Sequence, residues 1–266
     1  LIELLVLEQE PCGNIKPPAS WPLYGGDIIF DKVTLRYAPE LPPVLESVSF
    51  RIPGGANVAV TGRTGSGKST LALSLLGILH PDHRGGGSIR IGGVDLANVD
   101  KQALRRNITF VAQDPVLFPG TLRDNLDPLG EHSDEECALV LDKVLNASGP
   151  TSSNSDGSIG RFTLDSRVDG GGKNLSQGQR QLVGLGRAML RRSPIVIMDE
   201  ATASIDGETA MYIHQLLREE LKYSTVITIA HKAEAVADAD FEIVLDRGRI
   251  VKACPRRTES QNTAAV

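Results

Sequence analysis

The stretch richest in chemistry is Gly62-Arg63-Thr64-Gly65-Ser66-Gly67-Lys68-Ser69, followed by Thr70. It satisfies G-x-x-x-x-G-K-[ST], and each fixed position has a physical reason. Gly62, Gly65 and Gly67 permit backbone angles and close approaches that a Cβ forbids. The N–H groups of such a loop can turn inward around an anion, with the positive end of a following helix behind them. Lys68 would reach the β- and γ-phosphates of a nucleotide, and the Ser69 hydroxyl would ligate Mg²⁺. A dinucleotide loop does not fit, because G-x-G-x-x-G needs glycine where Thr70 stands. The expected ligand is a nucleoside triphosphate.

Asp199-Glu200 is the second pair with chemical potential, at the end of the apolar run Ile195-Val196-Ile197-Met198. An acid at the end of a buried strand in a phosphate-loop protein supports Mg²⁺. Glu200 beside it is placed to polarise the water that attacks the γ-phosphate. Read without the phosphate loop, the same pair is two surface acids closing a strand.

These residues need elements to hold them. Ala56–Thr61 is short and β-branched, as a strand is, and Thr70–Leu79 is apolar and rich in helix formers. Strand, glycine loop and helix is the context that the motif requires. Ile195–Met198 suits a central parallel strand buried on both faces. Short β segments come first: Asp27–Phe30, Lys32–Tyr37 and Ser47–Ile52, read as antiparallel strands packed on the phosphate-loop strand. Ser88–Ile91, Ile108–Val111, Thr225–Ile229 and Phe241–Leu245 are further strands. Asp134–Leu145, the stretch from Asn174 to Leu190 after its first residues, and Thr209–Leu221 have helical spacing. Helices alternating with apolar strands predict an α/β fold. Residues 148–160, rich in Ser, Gly and Asn, read as an exposed loop.

Composition excludes several classes. The net charge of −5 gives no reason to propose nucleic acid as a partner. Cys12, Cys137 and Cys254 are scattered, which suits free thiols in a reducing compartment. No run approaches the roughly 20 apolar residues that span a bilayer. The opening Leu1–Leu7 is too short for a signal peptide and contains an acid. A first residue of leucine is expected of a piece cut from a longer polypeptide.

Residues 27–253 resemble the nucleotide-binding domains of the ABC transporter superfamily. Beside Gly62–Ser69 and Asp199-Glu200, the resemblance rests on Leu175-Ser176-Gln177-Gly178-Gln179, similar to the family's signature loop. It also rests on Gln113, on Ala203-Ser204-Ile205-Asp206 at the D-loop, on His231 at the switch histidine, and on Tyr37 where an aromatic stacks on adenine. Alone, Tyr37 reads as a core tyrosine and His231 as a structural histidine. The resemblance implies a P-loop NTPase (RecA-like) core, an N-terminal antiparallel β subdomain, and a helical subdomain at about 114–190 bearing the signature. It implies ATP and Mg²⁺ as cofactors, with Ser69, Gln113 and Asp199 at the metal. Glu200, His231 and Lys68 would be catalytic, residues 175–179 would serve a partner domain's ATP, and Asp206 would be the D-loop acid. The implied partners are a second nucleotide-binding domain, in the same polypeptide or a homodimer, and the transmembrane domains of an exporter at the cytosolic face of a membrane. Residues 1–26 would then be the linker from the upstream transmembrane domain, and 254–266 a C-terminal tail.

The finer resemblance is to the second ATPase domain of subfamily C, the multidrug-resistance-protein type. Gln113–Phe118, Asp124-Asn125-Leu126-Asp127-Pro128 and the glutamate at 200 support it. Gln177 departs from the usual central glycine of the signature, and the 148–160 loop is longer than usual. Two rival readings are a soluble ABC ATPase acting on ribosomes or DNA, and a regulatory module that binds ATP without turnover.

Overall fold

The computed structural model describes residues 26–82, 85–146, 152–153, 159–230 and 239–256, together with 13, 15–18 and 20–22. The chain starts with two strands of alternating burial, β1 (Ile28–Leu35) and β2 (Leu45–Ile52). β3 (Asn57–Gly62) leads through the glycine loop into helix α1 (Lys68–Leu75). β4 (Ser88–Ile91), β5 (Val94–Asp95), α2 (Lys101–Asn107) and β6 (Ile108–Val111) follow. Next come β7 (Gly120–Thr121), α3 (Leu122–Leu126) and α4 (Asp134–Leu141), the last running on as a π-helical turn over Asp142–Asn146. After a hairpin of β8 (Ser152–Ser153) and β9 (Ile159–Gly160), β10 (Arg167–Val168) precedes the long helix α5 (Gln177–Arg191). The chain closes with β11 (Ile195–Asp199), α6 (Gly207–Glu220), β12 (Thr225–Ile229), β13 (Phe241–Asp246) and β14 (Arg249–Pro255).

Two main sheets result. β2-β1-β4-β5 is antiparallel, and β14-β13-β3-β12-β11-β6 is parallel except for its edge strand β14. The early strands therefore form a sheet of their own and meet β3 through side chains, with Phe30 and Phe50 stacked at 4.4 Å in the shared core. The turn between β13 and β14 also ties the sheets: Glu46 N–H donates to Gly248 O, and Gly248 N–H to Ser66 O in the glycine loop.

β11 explains how one strand serves two cores. Successive side chains of a strand point to opposite faces. Ile195 and Ile197 enter the core beneath the antiparallel sheet; Val196 and Met198 enter the core of the helical region, with Leu126, Leu185 and Ile213. Such a strand reads as an unbroken apolar run because neither face meets water.

Several local expectations are corrected. The two early β runs are one strand with a bulge, where Lys32 adopts φ +50°. The phosphate-loop helix begins at Lys68 and ends before Gly77, whose φ of +64° turns the chain away. The stretch expected as a linker over 1–26 contributes to the folded domain at its described residues. Trp21 is buried and donates from Nε1 to Ile91 O, and Ile15 bridges to Val99. The period of apolar residues missed α2, α3 and β14, which are short or at an edge. Among the described residues no helix is long and apolar enough to cross a membrane.

The segment Asp124–Pro128 earns its residues through hydrogen bonds. Asp124 completes a capping box with Thr121 at the start of α3. The fully buried Asn125 side chain accepts from Phe118 N–H and donates to the carbonyls of Phe118 and Thr121. Arg187 on α5 donates to Asn125 O and Val116 O, so the segment that follows Gln113 is clamped to the long helix. Burial holds this guanidinium below its ordinary pKa. Asn125→Ala would take these bonds from the Phe118 N–H and the Phe118 and Thr121 carbonyls. It is expected to lower stability by about 1–3 kcal/mol, read as a lower urea midpoint with an unchanged slope.

Candidate nucleotide-binding site

The parallel register brings three chain turns to one edge. Val60 pairs with Ile229, and Ile229 with Asp199, so β3, β12 and β11 end side by side. Ligands of open α/β sheets bind at this carboxyl edge.

At the end of β3 the glycines are needed for space as well as angle. Gly62 has φ +148°, and a Cβ there would lie 2.2 Å from Leu245 O. Gly67, at φ +105°, caps α1, and its Cβ would strike Leu45 Cδ2 at 2.5 Å. Arg63, Thr64 and Gly65 are exposed, whereas Ser66 and Lys68 are buried. Lys68 Nζ donates to the carbonyls of Gly62 and Arg63 at 2.9 and 3.1 Å. Burial pulls the Lys68 pKa below its ordinary value, partly opposed by the carboxylates of Glu200 and Asp199. A buried cation facing two acids suits a site that will receive phosphate.

Ser66 Oγ is buried without a hydrogen-bond partner among the described residues. Leaving such a group unmade is costly, and an anion in the loop would satisfy it. Ser69 is exposed in the first turn of α1. Among the described residues no cluster of three His, Cys, Asp or Glu could hold a metal alone. Mg²⁺ takes few protein ligands and completes its octahedron with phosphates and waters, so a hydroxyl, an amide and one carboxylate fit it.

Tyr37 is 54% exposed, with its hydroxyl 3.1 Å from Thr70 Oγ1 on α1. That exposure removes the reading as a core tyrosine and leaves a ring face beside the loop. Glu200 follows β11 with φ +48°, unusual for a residue with a Cβ, and its N–H donates to Ile229 O. Gln113 Nε2 donates to Glu200 Oε2 at 3.3 Å. Lys68, Asp199, Glu200 and Gln113 are thus one electrostatic group.

Residues 175–179 lie at the start of α5. Leu175 is buried, Gln177 is exposed, and Ser176 caps α5 in a reciprocal box with Gln179. Gly178 faces the turn before α6, where a Cβ would sit 3.1 Å from Ser204 O. Asp206 caps α6 by accepting from Thr209 N–H, which holds its carboxyl below the usual range. His231 lies outside the described residues.

The pattern of the ABC transporter family matches residues 45–203, more than half of the chain. The chain belongs to the ABC transporter family. It is 41% identical over 264 residues to the "Pleiotropic ABC efflux transporter of multiple drugs YBT1" of Candida glabrata, with 94% of this chain and 16% of that protein covered. It is 45% identical over 237 residues to "ATP-binding cassette sub-family C member 2" of Rattus norvegicus, covering 89% of this chain and 15% of that protein. The domain thus spans about a sixth of these relatives. Among solved structures, a bacterial Atm1-family ABC exporter with ATP bound superposes with TM-score 0.83 at 30% identity, covering 96% of this chain and 42% of that one.

One residue of this ABC domain escaped the sequence reading. Gln181, fully buried on α5, donates from Nε2 to Gln113 O at 2.9 Å and accepts at Oε1 from Ser204 N–H at 3.0 Å. The available signal was a polar side chain on the apolar face of a strongly amphipathic helix, four residues before Leu185.

With Lys68 read as the cation that meets phosphate, Lys68→Ala would remove a charge-assisted contact. It is expected to weaken Mg-ATP binding by about 1.5–3 kcal/mol, roughly ten- to a hundredfold in Kd by equilibrium titration. With the Tyr37 ring face read as the part that meets adenine, Tyr37→Trp is expected to bind ATP as the parent does, and Tyr37→Ala several-fold more weakly. Equal losses for both would assign the role to the hydroxyl bonded to Thr70.

Proposed function

We propose that the protein is the second, catalytically competent ATPase domain of a subfamily C exporter, and that Mg-ATP drives it into a head-to-tail pair with another nucleotide-binding domain. The observation that carries this reading is the convergence of Lys68, Asp199, Glu200 and Gln113 at the carboxyl edge of the parallel sheet.

Gly62–Ser69 cradles the phosphates, and Lys68 compensates their charge. Ser69, Gln113 and Asp199 would hold Mg²⁺, which when bound neutralises charge between the phosphates. The Glu200 carboxylate accepts a hydrogen bond from water and takes its proton as the water oxygen bonds to the γ-phosphorus. The bond from that phosphorus to the bridging oxygen breaks, and ADP leaves with the electron pair. His231 would assist at the γ-phosphate. Tyr37 stacks on adenine.

The start of α5 gives the reason for a partner. The first N–H groups of a helix lack intrahelical acceptors and carry partial positive charge. Ser176 already caps that turn, yet its O–H remains able to donate to an anion. This second anion-binding helix start belongs to a different nucleotide from the one at Lys68, which a head-to-tail pair supplies. Asp206 at the start of α6 would lie at the same junction. The transmembrane domains would dock on the helical region, placing this domain at the cytosolic face of a membrane.

In such a pair Glu200 acts on ATP held by this chain, whereas Ser176 and Gly178 act on the partner's. Glu200→Gln is expected to nearly abolish steady-state ATPase while prolonging the ATP-bound closed state. Ser176→Arg is expected to lower turnover of the full transporter by a smaller factor, because it disturbs the slower partner site. In a homodimer both changes should abolish activity. Equal, complete losses in the full transporter would overturn the asymmetric pairing.

A further inference from the structure

Gln181 occupies a position that packing alone does not require. It lies on the buried stripe of α5 beside Leu182, Leu185 and Met189, where leucine would fill the space without bringing an amide out of water. Burying an amide is unfavourable unless its hydrogen bonds are made. Here they are made, and each partner is main chain of a different functional turn. Gln113 O receives Nε2 at 2.9 Å, with a longer contact from Nε2 to Glu200 O at 3.5 Å. Ser204 N–H donates to Oε1 at 3.0 Å.

We propose that Gln181 is a positioning residue for ATP hydrolysis, holding the turns of Gln113, Glu200 and Ser204 in one arrangement from the helix that begins at Ser176. The inference rests on the reading of Glu200 as the group that polarises water. Glu200 needs such support. A left-handed backbone at a residue with a Cβ costs on the order of 1–3 kcal/mol and persists only where surrounding structure over-determines it. Two main-chain hydrogen bonds and one side-chain contact do so. Glu200 N–H donates to Ile229 O, Ala203 N–H donates to Glu200 O, and the Gln181 amide approaches the same carbonyl. By holding Gln113 as well, the amide sets both ends of the Gln113–Glu200 contact. The third bond reaches the turn that Gly178 touches, so the start of α5 and the carboxylate of this chain's own site share one strut.

Two substitutions separate the bonds. Gln181→Glu keeps the acceptor for Ser204 N–H but sets a carboxylate against two carbonyls; Gln181→Leu removes all three contacts. Both are measured in the full-length protein by ATPase kinetics and by binding of a fluorescent ATP analogue. Misplacing a reacting group by about 1 Å can cost on the order of a hundredfold in rate. Both variants are expected to lose about ten- to a hundredfold in kcat, with KM and analogue affinity within about threefold of the parent. The decisive readout is a double-mutant cycle on single-turnover hydrolysis. If Gln181 acts through Glu200, adding Gln181→Leu to Glu200→Gln lowers the residual rate no further. Unchanged kcat, a further loss in the Glu200→Gln background as large as in the parent, or loss of analogue binding in both variants overturns the proposal. Parent-like turnover of Glu200→Gln alone would instead remove the underlying reading of Glu200, and the cycle reports that separately.

Discussion

The parallel register of β3, β12 and β11 is the constraint from which the site follows. Once Val60, Ile229 and Asp199 are laterally paired, the glycine loop and the acidic pair must emerge at the same edge. Their separation along the chain, from Lys68 to Asp199, then costs nothing further in the folded state. The register is well specified because these strands are buried on both faces, and a slip would move apolar side chains into the wrong core.

That buried sheet also carries the strain the site contains. Gly67 and Glu200 both sit at positive φ, one where glycine makes this cheap and one where it is not. Around them the loop is locked by hydrogen bonds from elsewhere. Gly248 N–H reaches Ser66 O from the β13–β14 turn, and Lys68 closes the loop on Gly62 and Arg63. Phosphate-binding geometry is thus preorganised, and the ligand need not supply the ordering free energy.

The helical region is built differently. Its helices α3 and α4 are short, and polar side chains bonded to main chain hold much of it: Asn125 to Phe118 and Thr121, Arg187 to Val116 and Asn125, Gln181 to Gln113 and Ser204. Helices this short are marginal alone, so tertiary bonds decide whether they form. The sequence reading located α5 and the central strands by periodicity but missed α3, whose signal is a capping box and one buried asparagine. The stretch before β1 looked like a linker because it is rich in proline and glycine. It is drawn into the domain by Trp21, a large apolar surface that composition does not weigh.

Residue identity and spacing determined the ligand class. A glycine loop between strand and helix, with Lys68, Ser69 and a distant acidic pair, has one chemistry because few residue types tolerate those angles or carry that charge. The alternation of fold elements was legible for the same reason, since burial on both faces leaves an unbroken apolar run. Tertiary structure decided what depends on partners distant in sequence. It gave Tyr37 an exposed face instead of a core position, and sent alternate side chains of β11 into two cores. It also turned Gln181 from one polar residue in an apolar helix into a tie among three turns. A hydrogen bond is satisfied in space, and sequence spacing constrains it only within a helical turn or a strand pair.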